Sequence, residues 1–335
     1  MSLSEELKRA SDRAKHRFHT PGHKGELLRL DITEMSDGSF PDRFADDAEK
    51  RIAAFYGTRH ARMLCCGSSQ GVKAAIFWAA CDGIAAVHSH RSVFDGFRLA
   101  GKACTAIGTR GVMPLTLDQI KRALKPSDGA VVVTSPTYYG YCADIDGIRG
   151  FCRSRGLKFL VDGAHGAHFG SSPLLPPSFA DKCDVCNVSA HKTLCALTQS
   201  AILLDNLDGA DAERLREATD VMGTTSPSYP LYASIDGAVE KQASAHARYA
   251  ELYEPTAALR AEFPFLKNDD FTRLVLDCEA LGADAEKLNG ALCRRGVFSE
   301  MTDGRRIVFI LTAQDDNTAV SALTDALRAS VSETT

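Results

Sequence analysis

From residue 60 to about 205 the chain alternates short apolar runs with amphipathic stretches, the pattern of parallel strands joined by crossover helices. The runs predict strands at Arg62 to Cys65, Ala85 to His88, Ala130 to Thr134, Lys158 to Asp162, Val185 to Ser189 and Ala201 to Leu204. Helices fit between most of them. Gly71 to Ala80 carries an apolar stripe, Thr116 is placed to cap Leu117 to Leu124, and Asp144 to Arg155 closes at Gly156, a residue suited to a left-handed helix end. After Ser234 the texture changes. Ile235 to Glu262 is rich in Ala and Glu with no strong breaker before Pro255, which predicts a long connecting helix. Beyond it, strand Phe271 to Asp277, helix Ala283 to Arg295, strand Arg306 to Thr312 and helix Asn317 to Val331 predict a small α+β domain. Ser4 to Lys15 reads as helix and leads into the Pro- and Gly-bearing segment Thr20 to Gly25. The expected organisation is an N-terminal segment, 1–40, a large α/β domain, 41–235, and a connector helix with a small C-terminal domain, 236–335. No internal repeat interrupts it.

Composition narrows the partners. The 335 residues carry 39 Lys+Arg against 43 Asp+Glu, a net charge of −4, so a basic nucleic-acid-binding surface is not the dominant character. At 44% hydrophobic and 24% charged the chain can bury a substantial core. Met1 to Arg9 lacks the apolar run of an export signal and no later run is long enough to cross a bilayer, so the expectation is a soluble cytoplasmic protein without membrane or nucleic-acid partners. The eleven cysteines are then read as thiols, several of them inside apolar runs. Cys183 and Cys186 have a metal-like spacing, but no second pair accompanies them, so they are read as core thiols and no metal site is expected. Cys65 and Cys66 are read as strand-end packing.

The chain has no G-x-x-x-x-G-K-[ST] phosphate loop, no G-x-G-x-x-G after a strand and no H-E-x-x-H helix. Instead, Phe159-Leu160-Val161-Asp162 puts a carboxylate at the end of an apolar strand, where open α/β sheets bind ligands. Asp162 could cap the next helix, or pair with a cationic group such as the protonated pyridine nitrogen of pyridoxal phosphate. The next strand ends in Ser189-Ala190-His191-Lys192-Thr193, which puts an amine at the same edge. A lysine between apolar segments is poorly explained as solvated surface and well suited to a Schiff base with an aldehyde. Cys66-Gly67-Ser68-Ser69-Gln70-Gly71 is a polar turn at a helix start, either an ordinary connection or an anion site. In Val87-His88-Ser89-His90-Arg91-Ser92 an imidazole after a strand could cap a helix or stack on a ring.

Taken together, Thr20-Pro21-Gly22-His23-Lys24-Gly25, His90-Arg91-Ser92, Ser135-Pro136-Thr137-Tyr138, Asp162-Gly163-Ala164-His165-Gly166-Ala167-His168-Phe169, Ser189-Ala190-His191-Lys192-Thr193-Leu194 and Thr225-Ser226-Pro227-Ser228-Tyr229 resemble the ornithine/lysine/arginine decarboxylases of the fold-type-I pyridoxal-phosphate superfamily. The resemblance spans roughly residues 18 to 235 in the same order. It implies a large domain built on a mostly parallel seven-stranded sheet flanked by helices, plus a small α+β domain. It implies further that Lys192 forms the internal aldimine, Asp162 pairs with the pyridine nitrogen, His90 stacks on the ring and His165 bonds the ring hydroxyl. Ser68, Ser69, Ser189 and His191 would hold the phosphate, with Gln70 of the same loop counted among the cofactor-binding residues. Members are typically homodimers with the active site at the subunit boundary, and Thr225 and Ser226 are similar to the segment that reaches the partner's phosphate.

The activity the resemblance implies is decarboxylation of a basic amino acid, arginine, lysine or ornithine, with Lys192 or His90 returning a proton to the α-carbon. Three features depart from the family. The chain stops soon after the small domain where decarboxylases commonly carry a further one, and the loop Asp37 to Phe44 is shorter than usual. Where related transaminases carry an arginine for the substrate carboxylate, the aligned position is Val308, with Arg305 and Arg306 close by, which favours a site that labilises the carboxylate over one that clamps it. Asp37, Asp42 and Glu300 are candidate partners for a distal cationic group. Amino transfer or a lyase step uses the same parts, and a shortened homologue that binds the cofactor with weak catalysis is the remaining alternative.

Overall fold

The computed structural model describes residues 2–32, 42–108 and 111–334. It divides into two compact units: Met1–Pro136, Ala143–Ala167 and Ser178–Lys241 form the first, and Thr137–Cys142, His168–Pro177 and Gln242–Thr335 the second.

In the first unit the apolar runs become β1 (His60–Leu64), β2 (Gly83–Ala86), β3 (Cys104–Ile107), β4 (Ala130–Thr134), β5 (Lys158–Asp162), β6 (Val185–Val188) and β7 (Ala201–Asp205). Among the described residues they form one seven-stranded sheet in the order β1-β7-β6-β5-β4-β2-β3. β3, β2, β4, β5 and β6 are parallel, and β7 runs antiparallel to both β6 and β1. The sheet is thus the mostly parallel one expected. Its central strands are buried on both faces, which is why they read as continuous rather than alternating apolar runs. Val72, Ile76 and Ala79 of the helix Ser68–Ala79 pack with Leu160, Val185 and Leu203 of the strands, each large side chain contributing roughly 1.5–3 kcal/mol by its burial. Local signals set the helix ends. Thr116 and Gln119 form a reciprocal capping box, Asp144 accepts the Gly147 N–H, and Gly156 ends the helix Ile145–Arg155 at φ +64°. The helix Leu3–Arg13 packs Leu7 and Ala10 with Ile32 and Tyr229.

Two expectations need correction. β3 went unpredicted because Cys104-Thr105-Ala106-Ile107 is a half-buried edge strand with no branched apolar run. The single connecting helix is two, Tyr229–Ala243 and His246–Glu262. The chain turns at Ala245, whose N–H donates to the Gln242 carbonyl, while Pro255 sits inside the second helix without ending it.

The second unit holds β8 (Arg273–Asp277), β9 (Met301–Thr302) and β10 (Arg306–Ile310) in an antiparallel sheet ordered β8-β10-β9. Leu274, Leu276, Ile307 and Phe309 pack against Leu288 and Leu292 of the helix Ala285–Arg294 and Leu323 and Leu327 of the helix Asn317–Thr334. The second unit also buries a polar pair. Asp270 lies 3.2 Å from His168 Nε2, and although burial opposes its charge, that imidazole, Arg273 and the Thr272 hydroxyl hold its carboxyl below the usual range. No helix among the described residues is long and apolar enough to cross a membrane.

Glu49, on the helix Asp42–Tyr56, accepts the Met63 N–H at 2.9 Å and so covers a backbone donor of the edge strand β1. Burial pushes its carboxyl up to about 7, against the opposing pull of Arg62 and that N–H. A raised folded-state value favours folding fully below the unfolded value and loses that contribution as pH rises toward 7. Glu49→Gln is therefore expected to remove this decline, gaining about 2 kcal/mol on wild type between pH 5 and 8. Urea titrations of both proteins across that range check it; parallel curves contradict it.

Candidate active site

The carboxyl ends of β2, β4, β5 and β6 lie side by side, and the segments leaving them carry the candidate residues. Thr134 pairs with Asp162 and Asp162 with Asn187, so polar groups of three neighbouring strands sit in one row. Asp162 is 4% exposed. A carboxylate so buried needs donors. Asn187 Nδ2 donates to its Oδ1 at 3.2 Å and the Ala164 N–H donates to the same oxygen at 3.3 Å. The sequence reading missed Asn187. Its signal is one amide inside the otherwise apolar run Val185-Cys186-Asn187-Val188.

The turn after β5 brings the next residues into place. The Gly163 N–H donates to the Asn187 carbonyl at 2.9 Å, the Gly166 N–H to the Gly163 carbonyl at 2.8 Å and the Ser189 N–H to the Ala164 carbonyl at 3.3 Å. Both glycines are needed for space. A Cβ on Gly163 would lie 2.2 Å from Phe179 Cζ, and one on Gly166 would lie 2.7 Å from Pro136 Cδ. The result is a tight corner that carries His165, 6% exposed, toward the turn that follows β6.

β6 runs into the single helical turn Ala190–Thr193, which carries Lys192. Lys192 Nζ lies 3.0 Å from His165 Nε2, so a proton on either nitrogen is within reach of the other. Ser189 is fully buried and its hydroxyl is 2.7 Å from that of Ser68. Ser68 and Ser69 open the helix Ser68–Ala79, whose N-cap Gly67 has φ +74°, and its first turn presents backbone N–H groups at the positive end of the helix dipole. His191 Nδ1 is 2.8 Å from the Ser200 carbonyl, which can only accept, so this nitrogen carries a proton and Nε2 is the atom left to face a ligand. The structure therefore joins Asp162, His165, Ser189 and Lys192 through the two turns, with Ser68 bonded to Ser189.

The remaining candidates have other partners. The Gln70 amide donates to the Thr219 carbonyl at 2.9 Å, within the fold. His90 is exposed and caps the helix Arg91–Leu99, its Nδ1 accepting the Ser92 N–H and lying 2.8 Å from the Ser92 hydroxyl. The neighbouring Ser89 hydroxyl lies 3.3 Å from Thr134 Oγ1, which ties that turn to β4. Thr225 and Ser226 are exposed, and the Ser226 N–H donates to Thr224 Oγ1. Asp37 lies outside the described residues, and Asp42 begins the helix Asp42–Tyr56. In the second unit Glu300 accepts the Tyr138 hydroxyl at 2.6 Å, Val308 is buried in β10, and Arg305 and Arg306 pair with Glu279 and Asp303.

The donor set fits pyridoxal phosphate. It offers a buried carboxylate for a cationic ring nitrogen, an amine for the aldehyde, an imidazole beside that amine, and a hydroxyl-lined helix start for the phosphate. The fold is that of the fold-type-I pyridoxal-phosphate enzymes, and the donor set suits that coenzyme. The family described as Orn/Lys/Arg decarboxylase, major domain, matches residues 25–276, and the chain belongs to it. An arginine decarboxylase of Halalkalibacterium halodurans is 29% identical over 258 residues, covering 67% of this chain and 52% of that protein. Among solved structures, the lysine decarboxylase of Francisella novicida superposes with a TM-score of 0.78 at 17% identity, covering 98% of this chain and 59% of that one. SPT solved with PLP superposes with a TM-score of 0.72 at 18% identity, covering 99% of this chain and 85% of that one. The chain thus spans little more than half the length of these two decarboxylases.

Gly163→Ala is expected to lower stability by about 1–3 kcal/mol, because the new methyl must displace Phe179. Adding Phe179→Leu should recover part of the loss. Denaturant unfolding of the single and double variants measures both, and a Gly163→Ala protein as stable as wild type contradicts the close approach.

Proposed function

We propose that the chain is a pyridoxal-phosphate-dependent decarboxylase of a basic amino acid, arginine, lysine or ornithine, working from Lys192 as a homodimer in the cytoplasm. The observation that carries the reading is the 3.0 Å contact of Lys192 Nζ with His165 Nε2, on turns stitched beside the buried Asp162 carboxylate. Family membership and similarity to proteins named arginine and lysine decarboxylases support the substrate class.

Pyridoxal phosphate, when bound, supplies an electron sink for the charge left on the α-carbon as carbon dioxide departs. Each residue's part follows from its chemistry. Lys192 Nζ is the amine that would hold the coenzyme through its aldehyde, and when free it would carry a proton, with His165 Nε2 3.0 Å away to exchange one with it. Asp162 keeps a proton on the ring nitrogen, where a positive charge is most useful. Ser68, Ser69, Ser189, His191 and the first turn of the helix Ser68–Ala79 hold the phosphate dianion. Gln70 supports that loop through its bond to Thr219. His90 would cover the ring face, its Nδ1 accepting the Ser92 N–H so that Nε2 is the nitrogen left to carry the proton of a neutral ring. Thr225 and Ser226, exposed on this chain, reach the partner's phosphate. Desolvation of the substrate carboxylate would assist its loss.

Incubation with pyridoxal phosphate and each basic amino acid, followed by mass spectrometry, is expected to show the corresponding amine. Lys192→Ala should lower its rate of formation by several orders of magnitude. A 2-oxo acid as the product, or an undiminished rate in the variant, contradicts the reading.

A further inference from the structure

Asn187 stands where an apolar residue would cost less. It is 3% exposed in a strand whose other members are Val185, Cys186 and Val188, and an amide buried there loses water that only a specific partner replaces. That partner is Asp162, the residue it pairs with across the sheet. A carboxylate only accepts, so the Asn187 atom facing it is the Nδ2 donor, and the orientation of the amide follows. The helix Ser68–Ala79 presses on the same side chain from behind, since a Cβ on Gly71 would lie 3.3 Å from Asn187 Cβ.

We propose that Asn187 is a positioning residue that orients Asp162 for the coenzyme's ring nitrogen, an inference resting on the assignment of Asp162 proposed above. The two donors to Asp162, from Asn187 and from Ala164, both fall on Oδ1. With one oxygen fixed from two sides, the plane of the carboxylate is set and Oδ2 is the oxygen presented to a cation. A neutral donor suits this task better than a charged one. A lysine or arginine at 187 would neutralise Asp162 and compete with a protonated ring nitrogen, whereas an amide orients the carboxylate and leaves its charge in place.

The test measures coenzyme binding, not turnover. Asn187→Leu removes the donor and keeps the branching of the side chain, and Asn187→Ala is a smaller second variant should the larger leucine disturb β6. Apo-protein melting reports folding, and absorbance titration with pyridoxal phosphate reports Kd and the pH profile of the bound coenzyme's visible band. The expected result is an apo melting temperature within a few degrees of wild type, a Kd raised roughly tenfold by loss of one hydrogen bond to a charged group, and a displaced pH profile. In an Asp162→Asn background, adding Asn187→Leu should change Kd no further, because the amide then has no carboxylate to orient. Unchanged Kd and pH profile in Asn187→Leu and Asn187→Ala overturn the inference, and so does an equal loss in both backgrounds. A wild-type chain that does not bind pyridoxal phosphate overturns the assignment of Asp162 as well, whereas normal wild-type binding with indifferent Asn187 variants overturns only the role given to Asn187.

Discussion

A carboxylate left bare inside a protein is too costly to keep, and at the end of β5 that requirement organises everything around it. Asp162 is buried by the strands on either side, so its donors must come from them and from the turn it begins. Asn187 supplies one from β6 and the Ala164 N–H supplies the other. The turn that gives Ala164 also delivers His165, and the Ala164 carbonyl receives the Ser189 N–H. Lys192 follows Ser189 by three residues and meets His165. Donors to one buried carboxylate and the bonds between the two turns thus bring the Lys192 amine beside His165.

The parallel sheet makes this economical. Strands β2, β4, β5 and β6 end at one edge, so residues far apart in sequence need only short connections to converge there. The helix Ser68–Ala79 begins at that edge too, and Ser68 bonds to Ser189. A buried carboxylate, an amine and a helix start thus share one frame, and the segments that carry them are tied to one another by hydrogen bonds. Such a frame suits a coenzyme whose ring nitrogen, aldehyde and phosphate lie on different parts of one flat molecule.

Much of this was legible in the chain because burial on both faces leaves an unbroken apolar run. Ala130 to Thr134 and Lys158 to Asp162 were read with the bounds the structure gives them. Thr116 and Gly156 were legible for a different reason, since capping is a local chemistry that needs no tertiary context. The half-buried edge strand Cys104–Ile107 has neither signal. The break near Ala245 is set by packing: Gln242 donates to both the Tyr249 and Ser171 hydroxyls, contacts that no local propensity encodes. In the site, Asp162 and Lys192 stood out because charged groups ending apolar runs are conspicuous. Asn187 did not, for its meaning lies in the cross-strand register, which a single strand's sequence does not display.

The central claim is that Lys192 carries the coenzyme. Borohydride reduction of the protein loaded with pyridoxal phosphate, followed by proteolysis and peptide mapping, tests it most directly. The account predicts a pyridoxyl group on the peptide containing Lys192 and its absence from Lys192→Ala protein. Label on another lysine, or none on a protein shown to bind the coenzyme, would contradict it.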